Sequence, residues 1–596
     1  MKTLFTNRRR TLLFTKRLDG LFGLLVLAVL IVYPLGTLLL QIVFPHLFDF
    51  IPSWKFSFTP FLQVFSDSQN LDSVINSLLL GLISALIATV LGTLTAFTAR
   101  SMPSTLRKIM ELAIWVIFFT PSYVIAEGWL ILMQDGGIAA QLFHLQNGWS
   151  SWFFTSQGLI IVMGLRYFPF VHFAMTQAIQ NISPQLLSAA RILGASRWKV
   201  FLRVWMPLLA PAWLSGASIA FAEGFGDFGF AAAITPQMQI PLITYQIYSA
   251  LNQAPVNYSV AAGLSLVVVI VTALALMLQF WWLKKRSYST INSGSKEVTS
   301  PGKRNNGWGL RTLSGLLLLV ALGLPVGSTF SASLWKTWSG GISITNWTFA
   351  HYSALFAYSG DGFQALLRSG GYALVAAFVT ALLALFMAWH MSFRNTSVGK
   401  ILNVVTMSTM AIPGVVLAVG FVFAWNATWL IPLHLVLYGT YWCLGLAYIA
   451  GSLPYAVRLQ LGAMSQISPN LLSAAQVLGA KSGVILREII LPLVKTTAIS
   501  TFLITFTGTL FELPASSLLY PAGQPPFPVL IASKFNAFEW SEGAALTMVG
   551  LVIVIGLYGA GSFMLTREKS MTGSEEADTT RTMKETANET MQVAST

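Results

Sequence analysis

Five acidic residues fall within or beside long apolar segments of the sequence, where an ionisable side chain is costly and by default marks a functional position. Asp227 and Glu512 are the most informative, because they match across a spacing of 285 residues. Glu127 has Val419 at its equivalent position, which excludes a symmetric role for it. Carboxylates at this depth can line a polar path or a gate across a membrane, and Asp227, Glu512 and Glu127 are the predicted positions. For Asp227 and Glu512 an equally supported alternative to the lining or gate role is that each is a solvated carboxylate facing the path without direct contact with the solute.

Other polar residues near these segments are weaker candidates. Glu111 and Glu223 complete the acidic set, and Arg166 and His390 are expected near the membrane interfaces. The single cysteine, Cys443, lies in an apolar segment and is expected to be a small buried hydrophobe. One cysteine excludes an intrachain disulfide, and no His, Cys or carboxylate cluster has metal-ligand spacing. The sequence therefore predicts no metal site in this chain.

A phrase that occurs twice is the second informative feature. It reads ISPQLLSAARILGA from Ile182 and ISPNLLSAAQVLGA from Ile467. In each copy Ser-Pro suits the first turn of a helix, and Gly194 or Gly479 stands where a helix ends in a left-handed residue. The phrase predicts a short capped helix whose small-residue face suits docking into a cleft on a partner. A repeat this distant indicates a duplicated unit.

Membrane-spanning helices must position these residues. The chain of 596 residues is 55% hydrophobic and 9% charged, with a mean hydropathy of +0.68. A soluble domain carries about 25% charged residues, whereas repeated apolar runs of about 20 residues are typical of membrane spans. The net charge of +14 reflects Lys and Arg in cytoplasmic loops rather than a nucleic-acid site. The sequence predicts an all-α polytopic membrane protein without a nucleic-acid partner.

The hydrophobic pattern predicts about twelve transmembrane helices. Basic residues cluster in alternate loops, which places both termini and both copies of the repeated phrase in the cytoplasm. Because six spans separate the copies, the halves are parallel repeats related by an axis along the membrane normal. The predicted spans are 20–44, 73–98, 109–133, 158–180, 208–230, 260–283, 313–335, 367–391, 401–425, 436–458, 496–518 and 543–566.

The chain is predicted to have four parts. Two halves of six spans each occupy residues 1–283 and 313–566. Residues 284–312 are rich in Ser, Gly, Asn and basic residues, which is typical of a flexible cytoplasmic linker. The polar tail, residues 567–596, is expected to be cytoplasmic and disordered.

The repeated loops resemble a known family motif. The pattern Ala-Ala-x3-Gly-x9-Ile-x-Leu-Pro is similar to the cytoplasmic EAA loop of binding-protein-dependent ABC importer permeases, and the likeness covers nearly the whole membrane part. One departure is that Ser188 and Ser473 stand where the family has Glu. The resemblance implies a type I importer permease fold and a coupling helix that docks onto an ATPase subunit. It assigns ATPase coupling to Ser188, Ala189, Ala190, Gly194 and Pro207, and to Ser473, Ala474, Ala475, Gly479 and Pro492.

The resemblance also implies partners. The sequence lacks the Gly-x4-Gly-Lys-Ser/Thr phosphate loop, so we expect a transport subunit that is not an enzyme and binds no cofactor itself. ATP is expected on two copies of a cytoplasmic ATPase subunit, and a separate extracytoplasmic binding protein is expected to deliver the solute. The expected location is the lipid bilayer of the bacterial inner membrane.

The transported solute is only loosely indicated. Two fused halves and the segment Glu512-Leu-Pro-Ala-Ser look most like the ferric-iron importer permeases, with fused thiamine and phosphonate permeases as alternatives. An ion-coupled secondary transporter of the major facilitator type is an alternative from another class. The loop 98–108 lacks the acidic residue expected of that fold, and the duplicated phrase would have no explanation in it.

Overall fold

The computed structural model describes residues 20–48, 52–182, 184–285, 308–357, 360–394 and 396–559. These residues are almost entirely helical, and the β pairing among them is one isolated bridge between Trp335 and Trp347. Most of the predicted linker, the predicted tail and Ser183 lie outside the described residues. The all-α prediction is confirmed.

The described residues of the first half form twelve helices, α1 to α12. Five of them, α1, α3, α7, α9 and α12, are longer than 20 residues and mostly apolar. In chain order the helices are Gly20–Val43, Thr59–Val64, Ser68–Ser101, Ser104–Phe119, Ser122–Met133, Ile138–Phe143, Ser156–Gln180, Pro184–Ile192, Trp198–Gly226, Phe228–Met238, Ile243–Asn252 and Tyr258–Lys285.

The second half repeats this order as α13 to α23. A short 3₁₀ segment, Thr428–Leu433, takes the place of α6. The helices are Trp308–Ser333, Ala350–Phe356, Asp361–Phe393, Ser397–Thr409, Gly414–Trp425, Tyr441–Met464, Pro469–Val477, Ile485–Leu510, Pro514–Leu519, Phe527–Asn536 and Trp540–Gly559.

The count of spanning helices differs from the predicted twelve. Nine described helices are long and apolar enough to cross a membrane, or up to eleven if each of two bent pairs is one span. The remaining predicted span corresponds to α18, which has 24 residues and matches α7 across the repeat. It falls outside the nine because polar residues such as Ser452, Arg458 and Gln460 interrupt its apolar sequence.

Two predicted straight spans are in fact broken. The spans predicted at 109–133 and 401–425 bend by 99° between α4 and α5 and by 111° between α16 and α17. Pro121 and Pro413 stand at the breaks. Proline lacks the N–H that would continue the helix and pushes the preceding residue out of helical geometry. The turned helices α5 and α17 are buried along their whole length after the first residue, so the bends direct them into the centre of the protein.

Each half is a bundle of three closely packed long helices. Helices α3, α7 and α9 pack together in the first half, and α15, α18 and α20 do so in the second. The buried face of α3 is made of small residues that include Ala85, Ala88 and Gly92. A Cβ added at Gly92 would lie 2.7 Å from the carbonyl oxygen of Phe168 on α7. Small residues allow this approach because van der Waals contact rather than the hydrophobic effect drives helix association in lipid.

The first helix of each half crosses to the other half. Helix α1 packs on α17 of the second half, and α13 packs on α5 of the first. Both crossings pair a glycine with a proline: Gly420 lies against Pro34, and Gly128 lies against Pro325. The two halves are therefore interlocked by two equivalent helix crossings.

Four π-helical turns occur at equivalent places in the two halves. Each ends two residues before a proline, in α1, α9, α13 and α20. A proline ring clashes with the carbonyl four residues earlier, and a wider turn relieves that clash. The turns are Ala28–Val32, Phe201–Trp205, Leu319–Gly323 and Ile485–Ile490, and the prolines are Pro34, Pro207, Pro325 and Pro492.

Candidate functional site

A cavity of about 490 Å³ lies between the two halves. Its walls include the helix breaks at Pro121 and Pro413, together with parts of α7, α9, α18 and α20. The polar side chains among its lining residues are Ser122, Tyr123, Arg166, Tyr167, Glu223, Asp227, Thr272, Thr409, Tyr448, Ser452, Tyr455, Thr505, Thr509 and Glu512. The bends thus create a polar chamber inside an otherwise apolar bundle.

Asp227 lines this cavity at the break between α9 and α10. Its carboxylate caps α10 by accepting a hydrogen bond from the backbone N–H of Phe230 at 2.9 Å. It also accepts hydrogen bonds from the hydroxyl of Ser122 at 2.7 Å and from the hydroxyl of Tyr167. Because these donors come from three different segments, Asp227 ties α5, α7 and α10 together at the cavity wall.

Glu512 occupies the equivalent break between α20 and α21. Its carboxylate accepts hydrogen bonds from the backbone N–H groups of Ala515, at 2.9 and 3.0 Å, and Ser516, at 3.1 Å. The Ser516 hydroxyl in turn pairs with Tyr448 at 2.6 Å. Asp227 and Glu512 are therefore brought to one cavity, where each carboxylate accepts hydrogen bonds from backbone N–H groups in the first turn of the short helix that follows it.

Glu127 does not line this cavity. It is buried on α5 and lines a second, much smaller cavity. Tyr123 and Leu513 line both this small cavity and the main one. The hydroxyl of Thr547, on α23 of the other half, donates to its carboxylate at 3.4 Å. Glu127 thus lies behind the cavity wall, beside a contact between the halves.

Two charged residues of the cavity were ranked too low by sequence reasoning. Arg166, expected near a membrane interface, lies in the middle of α7 and lines the cavity; that expectation was wrong. Glu223 lines the cavity one helical turn before Asp227. Both have glycine at their equivalent positions, Gly451 and Gly508, so a search for matched charges could not find them. Charge inside an apolar segment was the available signal.

The other polar residues lie away from the cavity. Glu111 forms an ion pair with Arg107 at 3.8 Å on the surface of α4. His390, at the end of α15, pairs with the hydroxyl of Thr396 at 2.9 Å. Cys443 is fully buried and free, as predicted.

The repeated phrase folds as predicted. It forms α8 and α19, and Gly194 and Gly479 follow them with left-handed φ values of 76° and 86°. Ser468 caps α19 by accepting from the N–H of Asn470 at 3.3 Å. The left-handed glycines end both helices at the same place because a residue with a Cβ rarely adopts this conformation.

The tips of both helices expose apolar side chains. Ile192 and Leu193 are 85% and 86% exposed, and Val477 and Leu478 are 87% and 88% exposed. The opposite face of α19 is anchored, since Leu472 and Ala475 pack in a cluster with Ala388, Met464 and Ile485. Two equivalent apolar projections therefore extend from the ends of the bundles, and the one on α19 is held by buried contacts on one side.

Residues 88–284 and 380–564 each match the family described as "Binding-protein-dependent transport system inner membrane component". The chain belongs to this family. Because the family matches twice, the chain is a fused, two-half permease of the ABC importer type and a multi-pass protein of the bacterial inner membrane. The family is one of membrane permeases, and the ion-coupled secondary transporter considered from the sequence is excluded.

Two relatives are similar to this chain over both halves, and a third is similar over a shorter part. The chain is 24% identical over 490 residues to the Haemophilus influenzae protein named for a ferric transport system permease, FbpB 1, covering 81% of this chain and 76% of the relative. It is 23% identical over 492 residues to the ferric transport system permease protein FbpB of Actinobacillus pleuropneumoniae, covering 81% and 69%. The molybdenum transport system permease protein ModB of Haemophilus influenzae is 31% identical over 180 residues, which is 29% of this chain and 76% of that one.

Proposed function

We propose that this chain is the permease subunit of an ATP-driven importer of ferric iron. The observation that carries the proposal is the similarity to two ferric transport permeases over 81% of the chain, a length that must extend into both halves. The molybdenum permease relative aligns with only 29% of the chain. Similarity that extends into both halves favours iron over an oxyanion as the cargo.

The importer has two further kinds of subunit. Two copies of a cytoplasmic ATPase bind ATP and dock on α8 and α19, one copy for each helix. The exposed apolar tips at Ile192, Leu193, Val477 and Leu478 support this docking. Apolar contact there takes the place of the acidic contact that Ser188 and Ser473 do not provide. A binding protein delivers iron to the opposite face, and both chain termini are cytoplasmic.

Transport proceeds by alternating access. ATP binding draws the two ATPases together, and α8 and α19 move with them. The halves rock about their crossings, and the cavity opens to the binding protein. Hydrolysis resets the cavity towards the cytoplasm. Asp227 and Glu512, hydrogen-bonded to the first turns of the short helices α10 and α21, hold the cavity wall on either side and act as the gate.

Uptake of ⁵⁵Fe tests the proposal. Cells of the natural host, with and without this gene, are grown at low iron and given ⁵⁵Fe(III), and the deletion strain is complemented with the chain. We expect high-affinity uptake to be lost on deletion and restored by complementation. Unchanged iron uptake, with loss of thiamine, phosphonate or molybdate uptake in parallel assays, would refute iron as the cargo and leave the permease assignment intact.

A further inference from the structure

The central cavity is symmetric in fold but not in charge. The carboxylates Asp227 and Glu512 occupy equivalent positions, whereas Arg166 and Glu223 of the first half correspond to Gly451 and Gly508 of the second. The free charge of the cavity therefore lies on one wall only.

Arg166 is a buried cation with unused hydrogen-bonding capacity. Its side chain is 8% exposed, and Nη2 donates to the carbonyl oxygen of Thr120 at 2.9 Å. Nε and Nη1 have no hydrogen-bond partner in the structure. Leaving buried donors unpaired is costly, so these two nitrogen atoms define a position where an acceptor would be stabilised.

Glu223 is the free carboxylate of the same cavity. Asp227 and Glu512 are occupied by N–H and O–H donors, but within the part of the chain that the structure describes Glu223 has neither a hydrogen bond nor an ion pair. It does not neutralise Arg166 by direct contact. The cavity thus presents one cationic and one anionic group, each with capacity for a ligand.

The second half leaves room at the equivalent positions. A Cβ added at Gly508 would meet no atom within 4 Å, and one at Gly451 would meet only Leu417 at 3.9 Å. Side chains would fit at both positions, so packing does not require these glycines. Their effect is to keep space beside the charged wall.

We propose that Arg166 and Glu223 form a single recognition site for a ferric ion that carries an anionic oxygen ligand, such as a carboxylate. The unpaired N–H groups of Arg166 receive the oxygen ligand, as a guanidinium suits carboxylates and oxyanions. Glu223 faces the positive metal centre. A bare oxyanion would meet the repulsion of this carboxylate, and a bare cation would meet that of the guanidinium. The inference rests on the proposed iron import and names the form in which iron is recognised.

Uptake by variants tests the site in cells. Arg166→Gln and Glu223→Gln are expected to lower the initial rate of ⁵⁵Fe uptake at least tenfold at equal amounts of protein in the membrane. Arg166→Lys keeps the charge but loses the planar fork, so an intermediate rate is expected. Arg368→Gln is the matched control, because Arg368 also donates to one backbone carbonyl, that of Pro525, but lies outside the cavity. Its rate should stay within twofold of the wild type.

Binding to the purified full chain in lipid nanodiscs identifies the ligand chemistry. The probes are ⁵⁵Fe(III) citrate, ¹⁴C-citrate without metal, and molybdate. We expect saturable binding of ferric citrate, weakened at least tenfold by Arg166→Gln or Glu223→Gln, and no comparable binding of the metal-free anions. Equal binding of citrate or molybdate alone would overturn the inference in favour of an oxyanion site.

The two proposals fail in different ways. If wild-type cells import iron through this chain and both variants do so at the normal rate, the recognition site is wrong and the proposed function stands. If the wild-type chain imports no iron, the proposed function is wrong, and so is the ferric cargo of this site.

Discussion

Gly→Ala substitutions at Gly128 and Gly420 test the two helix crossings that interlock the halves. A Cβ at Gly128 would lie 2.5 Å from the carbonyl oxygen of Pro325, and one at Gly420 would lie 2.8 Å from that of Pro34. Both obstructing atoms belong to the backbone and cannot rotate away. Carbon contacts are optimal near 3.5–4.0 Å, so Gly→Ala must separate each helix pair by roughly 1 Å.

The expected cost follows from two opposing effects. Overpacking of this kind costs about 1–3 kcal/mol, whereas Ala is better than Gly in a helix by about 1 kcal/mol. The net destabilisation is therefore about 0–2 kcal/mol for each crossing and up to about 4 kcal/mol for the double variant Gly128→Ala/Gly420→Ala. Gly445 is the matched control, because a Cβ there meets no atom within 4 Å. Gly445→Ala should be neutral or stabilising by up to about 1 kcal/mol.

Thermal unfolding in detergent ranks the stabilities of these variants. A cleavage assay then tests whether the two helix crossings hold the halves together. A protease site is placed between residues 286 and 307, and the first half carries an affinity tag. After cleavage, the halves of the wild type and of Gly445→Leu should co-purify, since each half contributes a helix to the other. The halves of Gly128→Leu/Gly420→Leu should separate. If this double variant melts and co-purifies like the control, the interlocked arrangement is wrong.

Three further predictions concern the coupling helices and the cavity. Gly479→Trp and Gly194→Trp should leave the protein in the membrane but uncouple ATP hydrolysis from uptake, and normal uptake by Gly479→Trp would contradict the coupling role. Asp227→Ala removes three hydrogen bonds to a carboxylate, each worth about 1.5–3 kcal/mol. These bonds join three segments, whereas the donors to Glu512 all come from two adjacent residues. The thermal unfolding midpoint in detergent should therefore fall further for Asp227→Ala than for Glu512→Ala. Glu127→Gln preserves the shape of the side chain and removes a buried acid that accepts one long hydrogen bond. The thermal unfolding midpoint should therefore stay equal or rise. A fall of several degrees would contradict this reasoning and indicate a cationic partner for Glu127.

Local sequence signals predicted the features that depend on near neighbours in the chain. The capped helices α8 and α19 and their left-handed glycines, Gly194 and Gly479, follow from short-range capping rules. The class of protein follows from composition and from the length of the apolar runs. The duplicated phrase carried the resemblance to the permease family, which the match to both halves confirmed.

Features that join distant segments could not be predicted in the same way. Pro121 and Pro413 stand at the two breaks, but hydropathy is averaged along the chain and does not report the direction of a helix. Two bent segments were therefore predicted as single spans.

The charged residues of the cavity could also be predicted only in part. Asp227 and Glu512 were predicted as candidates because they match across the duplication. Arg166 and Glu223 line the same cavity only because α7 and α9 fold around it. The sequence by itself determined a duplicated membrane permease with two equivalent short helices, α8 and α19. The tertiary structure alone decided how the halves interlock and which charges meet, because helix crossing in lipid depends on the fit of small residues between segments far apart in the chain.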